Sequence, residues 1–336
     1  MRVIFKNVGL GDSIILEWIS NNEKKYGIID CHKTGDKNPT LEFIQAINPD
    51  KIEFVILTHF HFDHYSGFPE LFDFILQKRI SIKNFYHTLS GTITQIAQTE
   101  TNGYNSNNKR NIAHSFLTKF DMCRKQGIIE ETLRLDNKRN PIQLYDNVSI
   151  KIYAPLDSDH MKVETEIGRY LGKHTKKSPD VNKLSTILKI ENGGEYILLT
   201  SDATKSAMNR IERVVKGKMI LSQVPHHGSK LNHSLKFWSN KKVNLDQIAV
   251  ISVGYDLKNK LPNKETVHDL RELGYKVHST NQVFGLSNVF GKPNNLNQVD
   301  LPEVDLGSLL ELDEEESFVV TNLYDNLNGD QILNFW

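Results

Sequence analysis

The residues best suited to chemistry lie in one short segment, Thr58-His59-Phe60-His61-Phe62-Asp63-His64. It follows a continuous apolar run over residues 52–57, a pattern typical of a buried strand whose end opens onto a site. If the backbone stays extended, His59 and His61 point the same way and can bind one cation. Asp63 and His64 then turn the chain toward a helix and can reach a second cation. Imidazole and carboxylate ligands without thiolate suit zinc, manganese or iron, so the segment predicts a metal site rather than a polar loop.

Two later segments carry further candidates. Asp202 follows an apolar strand at 196–199, so its carboxylate is expected to project from a sheet edge; alternatively, it caps a helix at 205–215. The pair His226-His227 follows another apolar run. Adjacent residues rarely point to the same spot, so one imidazole is expected to bind metal and the other to face substrate or support a ligand. We take His226 as the ligand and His227 as the catalytic imidazole, although the sequence fits the reverse assignment as well.

The elements that must position these residues alternate between strands and helices. Apolar periodicity predicts strands at 2–5, 13–18, 25–29, 52–57, 148–153, 185–190, 196–199, 219–224 and 247–253, and helices at 66–76, 114–124, 205–215 and 264–273. A segment at 101–109, rich in Asn, Gly and Ser, is predicted to be a loop. Because both halves of the chain interleave strands with helices, we predict two facing sheets with helices outside, an α/β layered domain.

Composition fits a folded domain with an ordinary core. The chain has 336 residues, 38% hydrophobic and 9% aromatic, too apolar for a disordered protein. Its 41 basic and 41 acidic residues balance, so net charge favours neither a nucleic-acid nor a membrane partner. Cys31 and Cys123 cannot build a disulfide framework or a Cys-x-x-Cys zinc site. The opening residues lack a secretory signal, and no stretch has the roughly 20 apolar residues of a membrane span, so we expect a cytoplasmic protein without a membrane partner.

Local charge is less even than net charge. The stretch from residue 109 to 189 leans basic, and charges such as Lys109-Arg110 could contact phosphates or be ordinary surface charges. The tail from residue 300 onward is acidic, with Asp313-Glu314-Glu315-Glu316 at its centre, and residues 332–336 are mostly apolar. An exposed apolar end is costly. We therefore expect residues 291–336 to form an extension that packs on the domain or on a protein partner.

The His-x-His-x-Asp-His pattern after an apolar strand resembles the signature of metallo-β-lactamase-fold hydrolases. More narrowly, residues 1–290 resemble the hydrolase domain of ComEC-type DNA-uptake proteins and their free-standing relatives. Their patterns Val-Gly-Gln-Gly-Asp-Ser, Asn-x-x-Ser-Leu-Val-Leu, Leu-Leu-Thr-Gly-Asp and Val-Pro-His-His-Gly-Ser are matched in order by the segments Val8-Gly9-Leu10-Gly11-Asp12-Ser13, Asn182-Lys183-Leu184-Ser185-Thr186-Ile187-Leu188, Leu198-Leu199-Thr200-Ser201-Asp202 and Val224-Pro225-His226-His227-Gly228-Ser229. Leu10 stands where Gln is usual.

The resemblance implies a four-layer αββα sandwich and a site for two divalent metal ions, with Zn²⁺ expected first and Mn²⁺ as the alternative. Asp202 would bridge the ions, and the implied ligands are His59, His61, Asp63, His64, Asp202 and His226. Asp30 corresponds to a family Asp that precedes a Thr-Gly turn, here replaced by Cys31-His32, and is expected to orient a histidine ligand. Residues expected beside the site, in the pocket or behind the ligands, are Asp12, Ser13, His32, Asn182 and Ser229. The turn at Asp12-Ser13 could offer N–H groups to an anion or be only a tight turn.

Two positions of the family pattern are not matched. Relatives carry His-Pro after the strand corresponding to 251–254, whereas this chain has Leu261-Pro262, so an imidazole that contacts phosphate or donates a proton is expected to be missing. His233 or His268 could substitute for it. A third histidine for the first metal has no clear counterpart either; the candidates are Asn182, His160 and His174. The first metal would then be held by His59, His61 and Asp202 alone.

Together these features predict a binuclear metal-dependent hydrolase. Two cations would share a hydroxide that attacks the substrate, while Asp63 and Asp202 orient it and His227 helps to protonate the leaving group. The subgroup resemblance favours a phosphodiester substrate, a nucleic acid or a nucleotide, and hence a phosphodiesterase or nuclease. A hydrolase of carboxyl esters, thioesters or lactones is the second hypothesis. The third is a degenerate metal-binding module that acts through a protein partner on its acidic tail.

Overall fold

The computed structural model describes residues 1–88, 107–243, 246–255, 259–281, 283, 286, 323–325 and 330–335. Its strands are β1 Arg2–Phe5, β2 Ile14–Ser20, β3 Glu23–Ile29, β4 Lys51–Leu57, β5 Ser81–His87, β6 Ile129–Arg134, β7 Ile142–Tyr145, β8 Val148–Ala154, β9 Ile187–Asn192, β10 Glu195–Leu199, β11 Lys218–Gln223, β12 Ile248–Ile251, β13 Lys276–Ser279, β14 Leu323–Asp325 and β15 Asp330–Asn334. Its helices are α1 Pro39–Ile47, α2 Phe62–Tyr65, α3 Phe68–Lys78, α4 Asn107–Lys125, α5 Asp157–Leu171, α6 Lys205–Ile211, α7 Leu235–Lys241 and α8 Lys264–Glu272. Short 3₁₀ turns cover Val181–Leu184 and Pro225–Gly228.

The strands form two mixed sheets built on the same plan. The eight-stranded sheet has the order β14-β15-β1-β2-β3-β4-β5-β6, and the seven-stranded sheet has the order β13-β12-β11-β10-β9-β8-β7. Neighbours are antiparallel from β1 to β3 and from β7 to β10. They are parallel from β3 to β6 and from β10 to β13. Because parallel strands end at the same edge of a sheet, the loops after β10, β11 and β12 gather on one side of the second sheet.

Three apolar clusters hold the layers together. One lies between the sheets and combines side chains of both, among them Leu16 and Leu188. A second packs α1, α3 and α4 on the first sheet, and a third packs α6, α7 and α8 on the second. In α3 the apolar positions at helical spacing are all buried, namely Phe68, Leu71, Phe72 and Ile75. Each such side chain contributes roughly 1.5–3 kcal/mol on burial. The helix–sheet–sheet–helix order confirms the predicted four-layer α/β sandwich.

The end of the chain joins the first sheet. Strand β15 pairs antiparallel with β1, and Leu333 and Phe335 are buried in the cluster between the sheets. The acidic stretch 291–322, which includes residues 313–316, lies outside the described residues. Helix α4 begins at Asn107, so the last part of the loop predicted at 101–109 is helical, and residues 101–106 lie outside the described residues. Among the described helices, none is long and apolar enough to cross a membrane.

Candidate metal centre

Histidine and aspartate side chains from both sheets meet where strands β4, β10 and β11 end. The loop after β4 carries residues 59–64, the turn after β10 carries Asp202, and the 3₁₀ turn after β11 carries His226 and His227. Two groups of potential metal ligands form there, and Asp202 belongs to both. Segments more than a hundred residues apart along the chain therefore share one site.

The first pocket lies on the Oδ2 side of Asp202. His59 Nε2 is 3.7 Å from this oxygen and 3.0 Å from His61 Nδ1. His226 Nε2 lies 3.6 Å from the same oxygen. His59, His61 and Asp202 offer donor atoms that all lie within 4.8 Å of one another, and His226 adds an imidazole near the same oxygen of Asp202. Imidazole and carboxylate donors suit zinc or a similar divalent ion.

The second pocket lies on the Oδ1 side of Asp202. His64 Nε2 and His227 Nε2 are each 3.6 Å from this oxygen. The carboxylate of Asp63 closes the pocket, with Oδ1 4.0 Å from His64 Nε2 and Oδ2 3.4 Å from His227 Nε2. The second pocket therefore combines two imidazoles with two carboxylates, a set with more negative charge than the first.

Three buried atoms of the second pocket have no hydrogen-bond partner among the described residues: His64 Nε2, His227 Nε2 and Asp202 Oδ1. Leaving a buried polar atom without a partner costs about 1–3 kcal/mol. A divalent cation between these atoms would give each of them a partner. The residues present therefore fit a metal ion, and the fit rests on the arrangement of the side chains themselves.

Each of three histidines turns Nε2 toward a pocket because a second group occupies Nδ1. His64 Nδ1 lies 2.7 Å from Asp30 Oδ2, and His227 Nδ1 lies 2.8 Å from the carbonyl of Ser252. His59 Nδ1 is 3.3 Å from Ser201 Oγ. Such outer partners fix the tautomer and the orientation of a metal-binding imidazole.

Asp30 is itself held firmly. Its Oδ1 accepts the backbone N–H of Thr58 at 2.8 Å, and its Oδ2 accepts the Thr58 hydroxyl at 2.6 Å. Burial raises the pKa of Asp30 to about 6, and the nearby His64 opposes the rise. The structure thus places Asp30 directly behind a candidate ligand, the place that the resemblance implied for it.

A left-handed backbone brings both members of the His226-His227 pair to Asp202. The φ angles are 50° at His226 and 54° at His227, a region that side-chain-bearing residues rarely adopt. The expectation that adjacent imidazoles diverge assumed an extended backbone, and for this turn that assumption is wrong. The two rings stand at 88° to each other, and each approaches a different oxygen of Asp202.

The turn before Asp202 also contains a residue with a left-handed backbone. Ser201 has a φ of 46° and stands where the resembling pattern has Gly, the residue that tolerates this conformation best. The helix-cap interpretation of Asp202 is not what the structure shows, because Thr204 occupies that position and accepts the N–H of Ala207. The backbone conformation of Ser201 instead directs Asp202 into the site.

The carboxylates and imidazoles of the second pocket strongly shift each other's pKa values. Burial alone would lower the pKa values of His64 and His227, but the carboxylates around them outweigh burial. Asp30, Asp202 and Asp63 raise the pKa of His64 well above its ordinary value, and Asp202 and Asp63 raise the pKa of His227 to about 9. Burial alone would raise the pKa values of Asp63 and Asp202, yet the imidazoles hold both well below the usual range. The pocket therefore keeps its carboxylates ionised and ready for a cation.

The first pocket behaves differently. Burial lowers the pKa of His59 well below its ordinary value, and it lowers the pKa of His226 as well. These imidazoles are therefore neutral near pH 7, the form in which histidine binds metal. The two pockets thus differ both in donor type and in how they hold protons.

The remaining predicted pocket residues lie close to the site. Asp12 accepts the side-chain amide of Gln223 at 2.9 Å, and its backbone N–H donates to the carbonyl of Asp63 at 3.0 Å. The Ser13 hydroxyl contacts Thr40 and the carbonyl of Asp30. These contacts belong to a tight turn, and they leave neither the Asp12 N–H nor the Ser13 hydroxyl directed at an anion.

His32, Asn182 and Ser229 lie at the edge of the site. His32 Nδ1 is 2.7 Å from Ser66 Oγ, and burial lowers its pKa to about 4. Asn182 Nδ2 is 3.5 Å from His226 Nδ1, and the Ser229 N–H donates to the carbonyl of His226 at 2.9 Å. Asn182 and Ser229 thus support the His226 turn rather than forming part of either pocket.

Several alternative candidates lie elsewhere. His160 Nε2 donates to the carbonyl oxygen of Leu135 at 2.8 Å, and His174 and His268 are exposed. His233 pairs with Asp269 at 3.1 Å. Leu261 is buried in the apolar cluster under the second sheet, so it directs no side chain toward the pockets. His226, which the sequence did not assign to a third histidine position, completes the first pocket.

Gln223 and Ser252 are site residues that the sequence did not reveal. Gln223 ends β11 and contacts Asp12 and the turn before Asp202, while the carbonyl of Ser252 holds His227. Ser252 acts through its backbone, which no residue type could signal. Gln223 precedes the recognisable Val-Pro-His-His segment by one position, and only its partners in space reveal its role.

The chain is similar to a known protein family over most of its length. The sequence profile of the metallo-beta-lactamase superfamily matches residues 9–235, a range that contains every member of both pockets. No curated protein sequence matches the chain.

Several solved structures are similar to the chain at low sequence identity. The metallo-beta-lactamase fold protein YhfI from Bacillus subtilis is 11% identical and aligns over 83% of this chain and 95% of its own, with a TM-score of 0.42. Zinc-bound PqqB from Methylobacterium extorquens is 12% identical over 83% of this chain and 98% of its own, with a TM-score of 0.45. A diphosphatase of the PhnP family is 14% identical over 83% and 85%, with a TM-score of 0.35.

Proposed function

The chain belongs to the metallo-β-lactamase superfamily and is a metal-dependent hydrolase, and from that premise we propose that it hydrolyses phosphodiester bonds of a nucleic acid or nucleotide with two divalent cations. The observation that carries the proposal is that the two carboxylate oxygens of Asp202 face different pockets. One of its carboxylate oxygens faces each pocket, at 3.6 to 3.7 Å from the imidazole nitrogens there. A carboxylate shared in this way suits a pair of cations held side by side.

The ligand assignment follows from the pockets. His59, His61 and His226 would hold the first cation, and Asp63, His64 and His227 the second, with Asp202 serving both. We expect Zn²⁺ in both pockets, with Mn²⁺ as the alternative, because the donors are imidazole and carboxylate without thiolate. Both members of the His226-His227 pair are ligands in this assignment.

When bound, the two cations would lower the pKa of a water molecule between them and stabilise negative charge on the substrate. The protein's own contribution is orientation. The side chains of Asp63 and His226 are 30% and 29% exposed, whereas those of His59, His64, Asp202 and His227 are at most 2% exposed. Substrate therefore approaches beside Asp63 and His226, and Asp63 can accept a hydrogen bond from the attacking water.

His227 is poorly placed to protonate a leaving group. Its Nδ1 is engaged by the carbonyl of Ser252, and its Nε2 faces the second pocket. We therefore assign His227 to metal binding and leave proton return to solvent at the open side of the site. This revises the division of roles expected from the sequence, in which His227 was the catalytic imidazole.

Two features support a phosphodiester rather than a carboxylic ester. The first is the match of the four sequence segments to ComEC-type hydrolase domains. The second is the position of Lys109, whose Nζ lies 4.6 Å from the ring centre of Phe62, the residue between His61 and Asp63 in the sequence. A cation there can attract a phosphate group. Lys138, in the same basic stretch of the sequence, pairs with Asp157 at the surface at 3.1 Å.

A substrate panel tests the proposal. Protein loaded with Zn²⁺ or Mn²⁺ is expected to cleave bis-p-nitrophenyl phosphate and single-stranded DNA, and the variants His61→Ala and Asp63→Ala are expected to lose the activity. His174→Ala removes an exposed histidine and serves as the matched control. Turnover of esters, thioesters or lactones without phosphodiester cleavage would contradict the proposal. Full metal loading with no turnover on any substrate would point instead to a metal-binding module.

A further inference from the structure

Gln223 connects the two sides of the metal centre. It ends β11 and is 2% exposed. Its Oε1 accepts the backbone N–H groups of Thr200 and Ser201, each at 2.9 Å, and its Nε2 donates to Asp12 Oδ2 at 2.9 Å. One buried amide thus uses its acceptor on the second sheet and a donor on the first.

The acceptor end of Gln223 fixes the turn that aims Asp202. Thr200 and Ser201 immediately precede Asp202, and Ser201 holds the unfavourable φ of 46°. The carbonyl of Ser201 also accepts the N–H of His226 at 3.0 Å. Two hydrogen bonds to consecutive N–H groups therefore stabilise the strained peptide on which both Asp202 and His226 depend.

The donor end of Gln223 fixes the other side of the second pocket. Asp12 Oδ2, which accepts the amide, lies 3.9 Å from His64 Nδ1. The backbone N–H of Asp12 donates to the carbonyl of Asp63, and its carbonyl accepts the N–H of His32. A shift of Asp12 would therefore change the positions of both Asp63 and His64.

The chemistry requires an amide at this position. Two backbone N–H groups need an acceptor and an Asp12 carboxyl oxygen needs a donor, and glutamine supplies both at the end of one side chain. The assignment of oxygen and nitrogen follows from these partners, since the reverse orientation would set donors against donors. Glutamate could accept both N–H groups but would face Asp12 with a like charge. Leucine could do neither.

We propose that Gln223 is a positioning residue that sets the distance between the Asp202 turn and the Asp12–His64 side, and so determines how tightly the two cations bind. The proposal rests on the two-cation site of the proposed function but on no particular substrate. Outer partners of metal ligands typically change metal affinity by about 10–100-fold when mutated, and we expect that range for Gln223→Leu.

The chain offers a matched control in Gln247. This glutamine is 1% exposed, and its side chain also donates to the carbonyls of Met219 and Lys241 and accepts the N–H of Val243. It immediately precedes β12, at the edge of the second sheet opposite the pockets. Gln247→Leu thus removes a comparable buried network without touching the metal centre.

The test compares wild type, Gln223→Leu, Gln223→Glu and Gln247→Leu in the full chain. Zn²⁺ affinity is measured by competition with a chromophoric chelator, the visible spectrum of the Co²⁺-loaded protein reports coordination, and urea unfolding of metal-free protein reports stability. Gln223→Leu is expected to lower the affinity for both cations by about 10–100-fold and to alter the Co²⁺ spectrum. Gln223→Glu, which keeps the bonds to Thr200 and Ser201, is expected to weaken the second cation more than the first. Gln247→Leu is expected to lower stability while binding both cations as wild type does.

Wild-type affinity and an unchanged spectrum in Gln223→Leu would overturn the proposal, as would equal losses of affinity in Gln247→Leu. If Gln223→Leu does not fold, Gln223→Glu decides. Wild-type affinity for both cations in Gln223→Glu, or an equal loss of affinity for both, would overturn the proposal. Phosphodiester turnover by wild type is measured alongside. If the Gln223 variants lose affinity for the cations and wild type cleaves no phosphodiester, the proposed substrate is wrong and the positioning role of Gln223 is supported. If wild type is active and the Gln223 variants bind the cations as wild type does, only the positioning role is wrong.

Discussion

The two halves of the sandwich follow one plan but supply the metal centre in different ways. The first half, strands β1 to β6, offers four candidate ligands from one loop after β4. The second half, strands β7 to β13, offers three, from the separate turns after β10 and β11. In the second half Ser201, His226 and His227 all adopt positive φ, whereas residues 59–64 of the first half do not. In the first half the left-handed backbone lies behind the ligands, at Asp30 with a φ of 58°, whereas in the second half it lies in the ligand-bearing turns themselves.

Each pocket nevertheless draws on both halves in the same proportion. The first pocket takes His59 and His61 from the first half, and the second takes Asp63 and His64. The second half adds to each pocket one imidazole and one oxygen of Asp202. Neither half alone can hold a cation with four donors, so metal binding is expected to couple the two sheets.

Removing the residue that both pockets share should have the largest effect. Asp202→Asn is expected to reduce the affinity for both cations by more than the 10–100-fold typical of outer partners, because Asp202 is a direct ligand in each pocket. Elemental analysis after dialysis should show fewer than one metal ion per chain. Asp121→Asn, at an exposed ion pair with Lys125, should retain wild-type content. Retention of one tightly bound ion in Asp202→Asn would mean that one pocket does not need this carboxylate.

A pair of histidine variants, one from each half, should separate the pockets. His59→Ala is expected to lose the first cation and His227→Ala the second, so each should bind one metal ion where wild type binds two. The physical reason is that each imidazole faces a different oxygen of Asp202. Stoichiometry from a Zn²⁺ titration checks this expectation. Loss of both cations in either variant would show that the pockets fill only together, and the comparison between halves would then fail.

The same contrast explains what the sequence could predict. The first half's ligands are consecutive and follow an apolar strand, so periodicity and residue type sufficed to place His59 to His64 at a strand end. Asp202 was also placed at a strand end, because an apolar run precedes it. The alternation of strands and helices predicted two facing sheets with helices outside, and the family resemblance implied the four-layer sandwich. Helices such as Asp157–Leu171 and strands such as Ser81–His87 were not predicted.

The conformation of the second half could not be predicted in this way. A positive φ at His226 and His227 leaves no mark on residue type, since neither is glycine. The expectation that one imidazole of the pair would point away followed from extended geometry and did not hold. Gln223 likewise became visible only once Asp12 and Thr200 were brought together in space, because its partners lie 211 and 23 positions away.

Proton binding by metal-free protein should also differ between the halves. The folded-state pKa of His227 is raised to about 9 from the ordinary 6.5, since the carboxylates of Asp202 and Asp63 outweigh burial. Protonated His227 therefore stabilises the fold fully below pH 6.5, and this contribution is lost as pH rises through about 9. The pKa of His59 is lowered well below 6.5, so His59 is neutral in both the folded and the unfolded chain from about pH 7.5 upward.

Urea unfolding of metal-free wild type, His227→Gln and His59→Gln between about pH 7.5 and pH 9 measures this difference. The stability of wild type relative to His227→Gln should fall as pH rises, while its stability relative to His59→Gln should stay level. Using differences between proteins removes the contribution of groups that all three share, such as the cysteines. A level difference for His227→Gln would show that its imidazole is neutral in the folded chain without metal.

The smallest expected effect concerns the strained turn itself. Ser201 has a φ of 46°, and its hydroxyl lies 2.8 Å from that of Thr58. Ser201→Gly and Ser201→Ala both lose this contact, but only glycine relieves the left-handed strain, so the glycine variant should be more stable than the alanine variant by about 1 kcal/mol. In the first half, Ser66 has a φ of −63°, which any residue adopts, and its hydroxyl likewise makes a buried contact, with His32. There the order should reverse, with Ser66→Ala more stable than Ser66→Gly by about 0.5–1 kcal/mol, because glycine loses more backbone freedom on folding. The same order at both serines, measured by urea unfolding, would mean that the strain at Ser201 contributes nothing to the difference between the halves.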